Sequence, residues 1–198
     1  MRSLPDDYMT SKQTVSYAGL FDDVGADAWY ASSVDYVKYG RLMYGTGNNL
    51  FQPDAQMTRA MFAQVLYALE GSPSVRGLSC PFTDAGGSWY TDAVIWAYHA
   101  GVVAGVSATQ FAPNEALTRE QMVTMLYGYA GRDEQLYGSD GALASYQDQA
   151  SVSDWAREAM AWAVSTGVIT GTSTTTLAPQ KIGTRAEVAT VLMQFCEQ

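Results

Sequence analysis

The residues that ask for chemistry are three arginines, Arg59, Arg119 and Arg185, each preceded by a threonine in the strings QMTRAM, ALTREQ and GTRAEV. Thr58, Thr118 and Thr184 read as helix N-caps, and Gln121 and Glu187, three residues beyond their threonines, complete capping boxes. Each arginine is then the first helical residue, where the helix macrodipole disfavours a cation. A guanidinium set beside the free backbone N–H groups of a helix start is costly when empty and well suited to a carboxylate. The chemistry implied is recognition of an anion. A structural alternative pairs the same arginines with Asp23, Asp84 and Asp148. The two readings part over Arg119→Ala. Ligand recognition predicts weaker binding with thermal stability nearly unchanged, whereas an ion pair predicts a fall in melting temperature.

The three arginines sit in a fixed frame. Trp29, Trp89 and Trp155 each stand thirty residues before them; Gly45, Gly105 and Gly171 lie sixteen residues after the tryptophan, and Pro53, Pro113 and Pro179 twenty-four after it. Four residue types holding one register three times define an internal repeat. The repeats open at FDDVGADAW, FTDAGGSW and YQDQASVSDW, and the variation in length falls outside the Trp-to-Arg frame. The frame divides the chain into a leader or linker over 1–20 and repeats over 21–71, 82–131 and 146–198.

Each repeat reads as two helices. The first is expected to start at the tryptophan, carries an aromatic seven residues later (Tyr36, Trp96, Trp162), and ends at Gly101 and Gly167 in the second and third repeats, where glycine suits a left-handed C-cap. In the first repeat Arg41 holds that position and Gly40 precedes it, so the spacing predicts a helix one residue shorter. The second helix opens at Thr-Arg and repeats apolar residues at i, i+3, i+4 and i+7: Phe62, Val65, Leu66, Leu69; Met122, Met125, Leu126, Tyr129; Val188, Val191, Leu192, Phe195. The loops between helices, TGNNLFQP, VSATQFAP and TSTTTLAP, bury Phe51, Phe111 or Leu177 as a plug. Their hydroxyl and amide groups, opened by Gly45, Gly105 and Gly171 and closed by the Thr-Arg helix start, form a candidate sugar-binding rim. For Trp29, Trp89 and Trp155 core packing is the expected role, with stacking on a sugar as the alternative. The connectors SPSVRGLSCP and RDEQLYGSDGALAS are short enough to keep neighbouring repeats in contact. A two-helix unit of this size buries too little surface to stand alone, so the fold expected is all-α, with three helix-loop-helix repeats sharing one core.

Composition narrows the function. With 198 residues, 47% of them apolar, and a net charge of −9, this is a folded acidic chain that repels nucleic acid and anionic membranes at long range. No apolar run is long enough to span a bilayer. The first twenty residues lack the apolar core of a signal peptide, and the expectation is an exported chain whose signal has been trimmed. Cys80 and Cys196 show no metal-ligand spacing and read as two isolated thiols, with a disulfide as the alternative. His99 has no partner in sequence and reads as structural or solvent-facing. Asp22, Asp23 and Asp27 are too few and wrongly spaced for an EF-hand loop, and no metal or cofactor is expected. A glycosidase is disfavoured because no pair of acids recurs free of a capping role.

The ordered set of a Phe-x-Asp opening, a tryptophan at a helix start, Gly-x-x-x-Gly, Phe-x-Pro and Thr-Arg-x-Glu or Gln, three times over residues 21–198, resembles the S-layer homology (SLH) domain family. The resemblance implies a noncatalytic, extracellular anchoring module of the bacterial cell wall, folded as a pseudo-threefold trimer within one chain and acting as a monomer. Its implied partner is an anionic secondary cell wall polysaccharide attached to peptidoglycan, often pyruvylated. By motif position the ligand-contacting arginine corresponds to Arg59, Arg119 and Arg185. The chain departs from the pattern at Met61 and Gln121, where the motif has an acid, at Gly183 before Thr184, and at Tyr146 and Leu177 in place of phenylalanines. These departures motivate an alternative, an assembly module whose grooves have drifted toward protein partners.

Overall fold

A computed structural model describes residues 20–131, 138 and 141–198. The expected leader, but for residue 20, and residues 132–137, 139 and 140 of the second connector lie outside the described residues. The described residues are all-α: α1 Ala31–Tyr39, α2 Arg59–Leu69, α3 Thr91–His99, α4 Arg119–Ala130, α5 Arg157–Ser165 and α6 Arg185–Cys196, with 3-10 turns at Gln149–Ser151 and Asp154–Ala156. None of these helices is long and apolar enough to cross a membrane.

The first helix of each repeat starts two residues after its tryptophan, because Tyr30, Tyr90 and Ala156 hold the N-cap positions. The predicted shortening of the first one is overturned. All three are nine residues long, and Arg41 adopts the left-handed conformation (φ 57°) that Gly101 and Gly167 adopt (φ 70° and 77°). Packing decides this: Leu42 and Met43 are buried and both donate their N–H to the Val37 carbonyl, so the chain must reverse there. An arginine in that conformation costs roughly 1–2 kcal/mol. The second helices carry the predicted Thr caps. Thr118 and Thr184 form full capping boxes with Gln121 and Glu187, while Thr58 accepts only the Met61 N–H.

The chain divides into two compact units, residues 1–56 with 184–198, and residues 57–183. In the first unit α6 packs on α1, and Phe51, Val34, Val188 and Leu192 are fully enclosed. Asp35 on α1 is also buried, and its Oδ2 has no hydrogen-bond partner; burial pushes its pKa up to about 6. In the second unit α2 packs on α3 and α4 on α5, around Phe62, Leu66, Phe111, Met122, Leu126 and Leu177. Each second helix thus pairs with the first helix of the following repeat, the last returning to the first.

Within the second unit the residues just before the three caps close a ring of backbone hydrogen bonds. Met57 N–H donates to the Gly183 carbonyl at 3.0 Å, Gly183 N–H to Leu117 at 2.9 Å, and Leu117 N–H to Met57 at 2.8 Å. Gly183 contributes no side chain, yet its peptide groups complete the ring. Cys80 and Cys196 are both free thiols, and burial pushes Cys196 up to about 11. His99 Nε2 lies 2.8 Å from the Ser79 carbonyl, tying the first connector to the end of α3.

Candidate functional site

The Phe-x-Asp openings act on the loop ahead of the proline. Asp84 takes the N–H groups of Phe111 and Ala112 on its two carboxylate oxygens at 2.9 and 2.8 Å. Asp23 holds Phe51 and Gln52 in the same way, and Asp148 holds Leu177 and Ala178. The Leu177 N–H is the largest influence holding the Asp148 carboxyl below its ordinary range. At Asp84 burial pushes upward most, but the Phe111 and Ala112 N–H groups together with Arg59 outweigh it. These paired bonds support Gln52, Ala112 and Ala178 at positive φ before each proline.

The arginines grip the same residues from the other side. Arg59 Nε donates to the Phe111 carbonyl at 2.9 Å and Nη2 to Ala104 at 3.4 Å. Arg119 reaches Leu177 and Thr170 at 3.2 and 2.8 Å, and Arg185 reaches Phe51 and Tyr44 at 2.7 and 2.6 Å. The guanidinium of Arg59 also lies 4.7 Å over the Phe111 ring, and that of Arg185 lies 4.5 Å over Phe51. Burial is the largest influence lowering the pKa of both groups. Arg59 and Arg119 are only 6% and 5% exposed.

One expectation fails here. The helix-start N–H groups are not free: Arg59 and Ala60 donate theirs to the Glu115 and Pro113 carbonyls, Arg119 and Glu120 to Lys181 and Pro179, and Arg185 and Ala186 to Ala55 and Pro53. The chain's own carbonyls take these backbone N–H groups, which leaves the guanidinium itself as the donor available to an anion. Because Arg119 is a buried fork with hydrogen bonds to two carbonyls, its truncation is expected to lower stability as well. The tertiary bonds lie 52, 58 and 134 residues away in sequence, beyond the reach of a local helix argument.

Core packing of the tryptophans is also overturned. Trp29, Trp89 and Trp155 are 65%, 60% and 58% exposed. Since the helices begin two residues later, each tryptophan stands outside the first turn, and at the second and third repeats the next residue, Tyr90 or Ala156, enters the core instead.

Arg59 does not stand alone. In the second unit it lines a groove of about 520 Å³ together with residues 102–106, Gln121, Thr124 and Met125 of α4, and Trp155. Two of its five N–H groups are placed on carbonyls, and the lining holds one cation and no carboxyl group. Gly105 is part of the wall. A Cβ there would meet the Gln110 carbonyl and the Phe82 ring, and at Gly45 it would meet Leu50 and Phe21, so these glycines are required by the loop itself. Gly171 is crowded in the same manner by Thr176 and Tyr146. Thr58, Thr118 and Thr184 spend their hydroxyl oxygens on the caps. Sequence reasoning missed Thr124, Val106 and the wall role of Gln121. The signal available was their frame position, on or beside the polar loop and one turn into the second helix. Among the described residues no group of three His, Cys, Asp or Glu side chains is placed to hold a metal.

The family model for the S-layer homology domain matches residues 20–63, 81–123 and 145–189, more than half of the chain. The chain belongs to the S-layer homology domain family. Over 191 residues (92% of this chain) it is 30% identical to the surface-layer 125 kDa protein of Lysinibacillus sphaericus, of which it covers 15%. It is 28% identical over 185 residues (93% of this chain) to the S-layer protein sap of Bacillus anthracis, covering 22% of it. It is also 29% identical over 180 residues (90% of this chain) to exoglucanase XynX of Acetivibrio thermocellus, covering 16%. The SLH chain thus spans a small part of the length of these relatives.

Proposed function

We propose that this SLH chain is a noncatalytic anchoring module of the bacterial cell surface, and that the Arg59 groove binds an acidic polysaccharide of the cell wall. The observation that carries the reading is the composition of that groove: one half-committed guanidinium, an amide, a hydroxyl and an exposed indole, with no carboxyl group on its lining. A cation with free donor capacity selects a carboxylate, a flat indole face suits a sugar ring, and Gln121 and Thr124 offer hydrogen bonds to hydroxyls. Glycoside hydrolysis takes two convergent carboxyl groups, and the groove supplies none. Support comes from relatives named as S-layer and surface-layer proteins, and from one named an exoglucanase, each matched over a small part of its length. The acidic group proposed for Arg59, following the family resemblance, is a pyruvate ketal on the sugar.

Calorimetric titration with purified secondary cell wall polymer, native and chemically depyruvylated, tests this. Binding lost on depyruvylation supports a carboxylate at Arg59, and absence of binding to either sample overturns the reading. Met61, an exposed methionine at the place of the motif's acid, favours a second reading in which the module also meets protein partners. Sedimentation that stays monomeric at high concentration counts against self-assembly.

A further inference from the structure

Glu120 is the second residue of α4 and is buried. Its Oε2 accepts the Ser153 backbone N–H at 3.0 Å, and its Oε1 accepts the Ser153 hydroxyl at 2.8 Å and the Gln180 amide at 2.8 Å. Gln180 Nε2 reaches on to the Ser151 carbonyl at 3.2 Å. Ser153 is the cap on which the turn Asp154–Ala156 opens, and that turn carries Trp155 into the groove wall.

The repeat frame shows that this network is specific to one junction. Glu120, Ser153 and Gln180 meet between the second and third repeats. The same three positions are Ala60, Gly87 and Asn114 at the preceding junction and Ala186, Asp27 and Asp54 at the remaining one. Burying a carboxylate costs desolvation that an alanine avoids, so a carboxylate found at one junction alone has a local purpose.

A second, independent difference falls on the same tryptophan. Trp29 and Trp89 are braced edge-on by the ring of the next residue, Tyr30 or Tyr90, at 5.2 and 5.1 Å. After Trp155 stands Ala156, which offers no such brace.

We infer that Glu120 is a positioning residue of the groove: acting through Ser153, it holds the turn that presents Trp155, in place of the aromatic brace the other two tryptophans have. Its effect on affinity rests on the groove reading above; its effect on Trp155 does not.

Labelling with 5-fluorotryptophan gives a fluorine resonance for each of the five tryptophans, assigned by Trp→Phe substitution. Glu120→Ala is expected to shift or broaden the Trp155 resonance and leave that of Trp89 in place. The swapped pair Glu120→Gln with Gln180→Glu restores the Trp155 signal. On cell wall polymer, Glu120→Ala weakens binding about threefold or more, and adds nothing in a Trp155→Ala background, since the two residues act as one unit. A Trp155 resonance unmoved in folded Glu120→Ala overturns the inference. Should that variant fail to fold, Ser153→Gly, which removes one of the three donors, is read in the same way. If the parent chain binds no polymer, the anchoring reading fails and the fluorine spectra alone decide the positioning role.

Discussion

Asp35 offers a quantitative test of how this chain balances burial against charge. Its carboxyl is enclosed, its Oδ2 has no hydrogen-bond partner, and desolvation pushes its pKa from 3.8 to about 6. The native state therefore binds this proton more tightly than the unfolded chain does. Stability contributed by the protonated form is complete below about pH 3.8 and is lost as pH rises through about 6. A shift of about two pH units corresponds to roughly 3 kcal/mol of penalty at neutral pH. The equivalent position in the third repeat is Ala161, also buried, so Asp35→Ala removes the carboxyl with a residue the frame already accepts. The expected result is a gain of about 1–3 kcal/mol at pH 7 that shrinks toward zero at pH 4. Urea unfolding of both proteins across pH 4–8 measures the difference, and a carbon-13 titration of the Asp35 carboxyl reads its midpoint directly. A stability difference independent of pH, or a midpoint near the ordinary aspartate value, refutes the reasoning.

Other consequences are equally direct. Arg59→Ala lowers melting temperature as well as polymer binding, because two hydrogen bonds from a charged group, worth about 1.5–3 kcal/mol each, tie it to the Phe111 loop; thermal melts beside titrations check both. Trp155→Ala weakens polymer binding while stability stays within about 0.5 kcal/mol, as expected for an exposed side chain away from the core, and the same two assays read it. Arg41→Gly raises stability by roughly 0.5–1 kcal/mol, the relief of a left-handed arginine less the entropy glycine adds to the unfolded chain, which denaturant titration resolves.

The helices were legible because their signals are local. A threonine cap and an apolar stripe at i, i+3, i+4 and i+7, joined in α4 and α6 by a glutamine or glutamate three residues after the threonine, lie within one turn or two of each other, and the structure places α2, α4 and α6 on those signals. The role of the arginines was only half legible. The helix start gave their position, but the carbonyls they hold belong to loops far along the chain, and no local pattern shows that Glu115 and Pro113 will take the N–H groups of Arg59 and Ala60. The tryptophans misled for a related reason. Hydrophobicity argues for burial, whereas a shift of two residues in the helix start turns the same side chain outward. Glu120 was visible as a charge in a capping sequence, but its partners Ser153 and Gln180 lie 33 and 60 residues away, so its burial could be learned only from the fold.

The ring joining Met57, Leu117 and Gly183 bears on how such modules can grow. Each member gives one N–H and receives one at its carbonyl, so the circuit is saturated at three. An open solenoid lengthens by adding a unit to an exposed end, but a fourth repeat would find every N–H of this circuit already engaged and would have to open it to join. Enlarging the module is therefore expected to proceed by duplicating the whole triplet.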